Sequence, residues 1–162
     1  MAQVDYFLKI PGVDSESTDD KHKGEIELES FSWGVTQTGT AGHGAGQGAG
    51  KAQPQDFHFV KRFDKASPRL FIACTTGEHF KEATLTARKA GGGQQEYVKI
   101  KFEDLMVSAY QFGGSSHEGV VPTDQVSLNF AKLHISYKEQ KPDGSLGGEA
   151  KHAYDFSANK KL

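Results

Sequence analysis

The sequence contains one cysteine, Cys74, and no long apolar run. A single cysteine cannot form an intrachain disulfide, which favours folding in a reducing compartment. No segment approaches the roughly 20 apolar residues that a membrane-spanning helix needs. The first five residues have neither the basic segment nor the apolar stretch of a secretory signal. We therefore expect a chain that folds in the cytoplasm, without membrane insertion, and is exported, if at all, without a cleaved signal peptide.

The chain also lacks an excess of charge of either sign. Nineteen Lys and Arg against 21 Asp and Glu give a net charge of −2 over 162 residues. Binding of nucleic acid requires a basic patch, and the terminal Lys160–Lys161 pair is too short to supply one. The content of 36% apolar and 25% charged residues is ordinary for a globular domain. We expect residues 1–162 to form a single domain with no nucleic-acid partner.

Motifs for catalysis and cofactor binding are missing as well. The Gly-rich residues 45–52 have Ala45 and Ala52 where a phosphate-binding P-loop needs a glycine and a hydroxyl. The seven histidines are scattered, and none has a second ligand at the spacing of a zinc site. Cys74 with His79 as its base is an alternative, but a lone cysteine on an apolar helical face is far more often core filler. We therefore predict no enzyme activity, no cofactor and no metal site.

What the chain does contain is aromatic and β-branched residues in alternating patterns. Its eleven Phe and five Tyr favour strands. Seven or eight predicted strands with Gly-rich turns indicate a mainly β fold, either a small β-barrel or a two-sheet sandwich. One flanking helix is predicted at about residues 67–76, with Ser67 as its N-cap and Gly77 after its end. Its apolar face would be formed by Leu70, Phe71 and Cys74.

Three predicted strands change the parity of their apolar residues partway along. In the first, residues 25–37, Ile26 and Leu28 are followed by apolar residues of odd number; similar changes occur near residues 103 and 131. Because side chains of a strand alternate between two faces, a parity change places apolar groups on both faces. Either a bulge returns them to one core, or the second face packs against another subunit. The residues of that possible subunit seam are Phe31, Trp33, Val35, Leu105, Val107, Leu133 and Ile135.

A Gly-rich segment at residues 39–52 has hardly any side chain to bury, and we expect it to be a flexible loop. Its residues of interest are Gly39, Thr40, Gly42, His43, Gly44, Gly46, Gln47, Gly48, Gly50 and Lys51.

Six short segments occur in an order and spacing that carry a family resemblance. They are residues 6–10 (YFLKI), 24–27 (GEIE), 32–34 (SWG), 64–68 (DKASP), 87–92 (ARKAGG) and 95–97 (QEY). Together they resemble the Hcp family, the haemolysin-coregulated proteins that are tube subunits of the bacterial type VI secretion system. The similarity extends from residue 4 to about residue 140.

The resemblance implies a specific function. Such subunits form hexameric rings that stack into an expelled tube, with effectors in the lumen and a spike and a contractile sheath as partners. Ser32 corresponds to a family position that faces the lumen, and the 39–52 loop corresponds to one that reaches the next ring. Read without the resemblance, the same strands would also suit a monomeric β-barrel that binds a small ligand.

Overall fold

The computed structural model describes residues 4–37, 50–89, 93–117, 119 and 121–162. Within these residues the chain is mainly β, with eleven strands and one helix. Their bounds are β1 (Val4–Lys9), β2 (Ile26–Leu28), β3 (Ser30–Ser32), β4 (Val35–Thr36), β5 (Gln53–Pro54), β6 (Phe57–Arg62), α1 (Ala66–Thr76), β7 (His79–Lys89), β8 (Glu96–Gly113), β9 (Thr123–Gln140), β10 (Leu146–Asp155) and β11 (Lys160–Lys161).

The main sheet is built around β8 and β9, two 18-residue strands that pair as a long antiparallel hairpin. The strand order is β11-β10-β9-β8-β7-β1-β2. On one side β9 pairs with β8. On its other side it pairs with two strands in turn, with β6 at residues 123–128 and with β10 at residues 132–140. β3 pairs with β6. The sheet therefore folds over, and its two parts face each other across the core.

The ladder of hydrogen bonds does not close into a barrel among the described residues. The break lies at Glu29, between β2, which pairs with β1, and β3, which pairs with β6. The Glu29 N–H donates to the Val60 carbonyl at 2.8 Å, so the chain passes from one part of the sheet to the other at one residue. The architecture is therefore the sandwich. The single strand predicted at residues 25–37 is wrong, and its division into β2, β3 and β4 raises the strand count above the seven or eight expected.

The parity change in β8 and β9 is a coordinated switch of both strands. Asp104 has a φ of 54° and stands between the paired residues Glu103 and Leu105. The pairing register is the same on both sides of this position, so β9 changes its inward face together with β8. Asp adopts the left-handed conformation more readily than most residues. Apolar residues on both sides of the switch, such as Phe102 and Leu105 on β8 and Phe130 and Leu133 on β9, therefore enter one core.

Three of the seven residues predicted to form a subunit seam are instead buried within the single chain. Leu105, Val107 and Leu133 are 5% exposed or less and belong to the hydrophobic core of the single chain. Side chains that are already buried in one subunit cannot be covered by another. For these positions the one-core alternative holds.

Helix α1 spans Ala66–Thr76, one residue longer at its start than predicted. Ser67 is not its N-cap. Instead, the Asp64 carboxylate accepts a hydrogen bond from the Ala66 N–H at 2.9 Å, and the Asp64 N–H donates to Ser67 Oγ at 2.9 Å. This reciprocal pair satisfies donors at the helix start in the manner of a capping box. The C-cap prediction is confirmed, because Gly77 is left-handed with a φ of 67°.

A buried ionic network fixes α1 to the sheet. The Lys61 ammonium group is fully buried and donates to Asp124 at 2.6 Å, to Asp64 at 2.8 Å and to Ser67 Oγ at 2.8 Å. Ser67 Oγ also donates to Asp124 at 2.5 Å. These contacts join β6, β9 and the first turn of the helix. Ser67 thus has a role in the interior that a surface cap would not allow.

Candidate assembly interface

Most of the large exposed apolar side chains of the described residues fall into two groups, and Tyr137 and Leu162 lie outside both. The first group surrounds a concave region of about 400 Å³, which we call the apolar groove. Its lining residues are Trp33, Val35, Ala52, Leu133, Ile135, His152, Ala153, Tyr154, Phe156 and Lys161. The second group, which we call the aromatic ridge, consists of Phe63, Phe71, Ile72, Tyr110, Phe112 and Val121.

The apolar groove is a continuation of the core-facing side of the sheet. Leu133 is 5% exposed, but Ile135, two residues further along the same face of β9, is 39% exposed. On the neighbouring strand Tyr154 pairs with Leu133 and His152 pairs with Ile135. The sheet therefore extends past the layer that covers its core, and an apolar surface is left uncovered.

Trp33 forms one wall of the groove and is held in place by its own contacts. Its indole N–H donates to the Gln55 carbonyl at 2.7 Å, which satisfies its only polar atom. Its ring packs against Phe130 and Phe156, with centroids 6.0 and 6.3 Å away. Beyond it, Val35 is 48% exposed. The wall is thus fixed at Trp33 by contacts within the chain and exposed to solvent at Val35.

The aromatic ridge is a continuous row of rings on the side of the molecule that carries α1. Phe71 contacts Tyr110, Tyr110 contacts Phe112, and Phe112 contacts Phe63, with centroid distances of 6.4, 6.1 and 5.8 Å. Phe112 is 63% exposed and Phe71 is 50% exposed. Burial raises the pKa of Tyr110 to about 12, since its phenol lies beside the buried Asp124 network. The ridge is therefore anchored at Tyr110, which packs against the core, and exposed at Phe71 and Phe112.

Phe71 corrects the predicted helix face. The buried residues of α1 are Ala66, Ser67, Leu70 and Ala73, at helical spacing. Phe71 lies about 100° around the helix from Leu70 and so faces outward with Ile72. Phe71 and Ile72 therefore form an apolar pair on the outer side of α1, the only helix among the described residues. The sequence contained this pair, but the prediction placed Phe71 on the buried face.

The predicted assembly residues separate in the structure. Trp33, Val35, Leu133 and Ile135 converge on the groove from β3–β4 and β9, whereas Phe31 turns toward the core and contacts Tyr6 at 5.0 Å. Sequence reasoning missed the groove residues Tyr154 and Phe156 and the ridge residues Phe63 and Phe112. Most of these lie at or beyond strand ends, where alternation gives no signal.

Ser32 lies on β3, is exposed, and pairs across the ladder with His58. Of the predicted loop residues, only Gly50 and Lys51 belong to the described part, and Lys51 is exposed. Gly39, Thr40, Gly42, His43, Gly44, Gly46, Gln47 and Gly48 lie outside the described residues.

The polar clusters were compared with two kinds of site, a metal centre and a serine nucleophile, within the described part of the chain. No group of three or more His, Cys, Asp or Glu side chains there is arranged to hold a metal ion. Lys61, Ser67 and Asp124 are each fully buried, so a substrate cannot reach Ser67.

A second ion pair holds the 13–24 loop against the sheet. Arg88 is 2% exposed and donates to both carboxylate oxygens of Asp19, at 2.9 and 2.7 Å. These hydrogen bonds lower the pKa of Asp19 to about 2, against the opposing effect of burial. The guanidinium also lies 4.8 Å from the centroid of the Phe7 ring. Arg88 thus joins the loop to the sheet through its two terminal nitrogens, while its buried Nε has no hydrogen-bond partner among the described residues.

Exposed apolar surfaces on a folded domain commonly mark sites of contact with another protein. Residues 7–137 match the family model described as "Type VI secretion system effector, Hcp". The chain therefore belongs to the Hcp family of type VI secretion proteins. No described helix has the length and apolar character needed to span a membrane.

Individual relatives agree with this assignment. The chain is 43% identical over 158 residues to "Protein hcp1" of Pseudomonas aeruginosa, covering 96% of this chain and 97% of that protein. It is similar to the crystal structure of Hcp1 from Salmonella typhimurium, with a TM-score of 0.84, 39% identity and full coverage of both chains. A further structure, described as a type six secretion system protein, has a TM-score of 0.93 at 30% identity, with coverage of 99% of this chain and 100% of that one.

Proposed function

We propose that this protein is the tube subunit of a type VI secretion system. Copies close into hexameric rings, the rings stack into the expelled inner tube, and effectors travel in the lumen. The partners are other copies of the chain, the spike protein, the sheath and the effectors, and the subunit is cytoplasmic until the system fires. Membership of the Hcp family supports this role, and the exposed surfaces of the single chain supply a physical basis for it.

The observation that carries the proposal is the presence of two different apolar surfaces at opposite ends of one hairpin. On β8, Phe112 belongs to the ridge, while Ile100 pairs with the groove residue Ile135. Twelve residues separate them, which corresponds to at most about 40 Å along an extended strand. A subunit with two separate surfaces can contact a neighbour on each side, and a ring results when the rotation closes.

Axial stacking is assigned to the 39–52 loop. β4 and β5 pair through Val35–Pro54 and Thr36–Gln53, so the chain leaves and re-enters the described structure at one place. A loop anchored in this way can reach a neighbouring ring without disturbing the sandwich. Ser32, exposed on β3, is assigned to the lumen on the basis of the family resemblance.

Size-exclusion chromatography with light scattering tests the proposal. We expect a particle of six times the 17.6 kDa chain mass, in a form that persists on moderate dilution. A mass of one chain at every concentration would contradict ring formation.

A second candidate is a monomeric module that binds a small apolar ligand. The groove favours it, because about 400 Å³ falls within the usual range for ligand pockets. A monomer that binds a fluorescent apolar probe, and loses that binding when Trp33 is replaced by alanine, would support this candidate over the tube subunit.

A further inference from the structure

We propose that His22 holds the 13–24 loop against the sheet in a pH-dependent manner, firmly while its imidazole is doubly protonated and loosely once a proton is lost. We call His22 with its two carboxylate partners, Glu25 and Glu96, the clasp. The inference goes beyond the proposed function and does not depend on it, because every contact that carries it lies within one chain.

Both ring nitrogens of His22 lie within hydrogen-bonding distance of a carboxylate. Nδ1 is 2.9 Å from Glu25 Oε2, and Nε2 is 2.8 Å from Glu96 Oε1. An ionised carboxylate can only accept, so both nitrogens must donate, and only the imidazolium has two N–H groups. His22 is 6% exposed, so water competes little for either bond. The arrangement therefore requires the charged form of the ring.

The clasp joins the loop to two strands that are distant in the chain. Glu96 is the first residue of β8 and lies 74 positions from His22. The imidazole also stacks on the Phe7 ring of β1, with centroids 4.4 Å apart and an angle of 7° between the ring planes. Phe7 is buried but lies outside the core cluster, since Leu8 takes the core-facing position. His22 thus covers Phe7 on the side of the sheet that faces away from the core.

The charged groups around the ring come from each element that packs against it: Asp5 on β1, Arg88 on β7, Glu96 and Lys99 on β8, and Asp19 and Glu25 in the loop and just after it. Of these residue types and histidine, only histidine ordinarily changes charge between pH 5 and 8. Burial opposes ionisation of Glu96, but hydrogen bonds from His22 and Lys99 hold its pKa below the ordinary value of 4.5. The Glu96 carboxylate is therefore ionised throughout the range in which histidine titrates.

Loss of one proton changes the clasp in a defined way. One ring nitrogen becomes an acceptor that faces a carboxylate oxygen, so one of the two charge-assisted hydrogen bonds is lost. The Asp19–Arg88 pair keeps its charges in this range, because the pKa of Asp19 is lowered to about 2 by Arg88. The loop is therefore held more firmly at acidic than at alkaline pH. Its opening uncovers Phe7 and a concave region of about 280 Å³ beside it, which Thr18 helps to line.

Hydrogen–deuterium exchange of the full-length chain, at one fixed protein concentration, tests the proposal. Exchange of residues 13–25 is followed by mass spectrometry at about pH 5 and about pH 8, the limits of the ordinary range of histidine. Each rate is compared with that of the same segment as an unstructured peptide at the same pH, which removes the intrinsic pH dependence of exchange. The N–H groups of Ser15, Ser17 and Gly24 report opening of the loop, because each is bonded to a carbonyl of residues 17–25.

We expect the protection of this segment in the parent protein to fall about tenfold or more from the lower to the higher pH, the effect of losing one hydrogen bond between charged groups. The fall should be much smaller in His22→Gln, which has no charge to lose, and in Glu96→Gln, which removes one carboxylate. The matched control is His134→Gln. His134 Nε2 contacts the Glu103 carboxylate at 3.1 Å, but the side chain is 39% exposed and lies on β9, so this variant should behave as the parent protein does.

Equal protection of the parent segment at both pH values would overturn the clasp. A fall of the same size in His22→Gln would also overturn it, because another group would then be responsible. Circular dichroism shows whether each variant is folded. If His22→Gln does not fold, Glu96→Gln decides, since its side chain is partly exposed; a fall equal to that of the parent protein would then count against the proposal.

Discussion

Replacing Lys61 by methionine should be among the most destabilising single changes in this chain. The ammonium group is fully buried and bonded to two carboxylates and a hydroxyl. Methionine keeps most of the volume but leaves the Asp124 carboxylate buried without a cation. Removal of one partner from a buried ion pair costs about 3–5 kcal/mol. One oxygen of Asp124, Oδ1, already has no hydrogen-bond partner among the described residues, so the network has little capacity to compensate.

The adjacent residue supplies a matched control. Arg62 pairs with Glu29 at 3.2 Å, but its side chain is 75% exposed. Such surface pairs contribute about 0–1 kcal/mol. Urea unfolding followed by circular dichroism, at one fixed protein concentration because assembly adds to apparent stability, should therefore separate Lys61→Met from Arg62→Met by several kcal/mol. Equal losses for the two variants would refute the view that the buried network stabilises the fold.

Three further outcomes are expected. Val35→Ser with Ile135→Ser should convert rings into folded monomers, as seen by light scattering with an unchanged circular dichroism spectrum; global unfolding would instead place both residues in the core. Deletion of residues 40–50 should preserve rings and abolish stacked tubes in electron micrographs, and a loss of rings would assign the loop to the wrong interface. Because its folded-state pKa is lowered, Asp19 contributes stability that is present above its ordinary value near 3.8 and is lost as the pH falls toward about 2. The unfolding midpoint of Asp19→Asn should therefore depend less on pH across that range than the midpoint of the parent protein. An unchanged pH dependence would argue against a stabilising pair between Asp19 and Arg88.

Local patterns predicted much of this fold because local physics determines those parts. The alternation of apolar residues predicted the mainly β fold, and Gly77 marked the end of α1. The Asp64–Ser67 capping pair shows the limit of such reasoning. A serine followed by proline favours a cap at Ser67, but the buried Lys61 and Asp124 recruit its hydroxyl, and those contacts join residues 57 positions apart in the chain.

The assembly surfaces could be predicted only in part, because they depend on what the fold leaves uncovered. The parity rule selected Val35 and Ile135, whose side chains are exposed, together with Leu105 and Val107, whose side chains are buried. The difference arises from the covering layer, because Ile135 lies on the core-facing side of the sheet but beyond the layer that buries Leu105 and Val107. The parity rule did not select the ridge residue Phe112. The alternation of apolar residues does not show whether another layer covers the end of a strand, and this decides whether Phe112 is exposed.

Electron microscopy of the purified full-length chain tests the central claim most directly. If the protein works by closing with copies of itself around a central channel, class averages will show annular particles with six-fold symmetry and an open centre. Compact particles of single-chain size, without a central opening at any concentration, would contradict it.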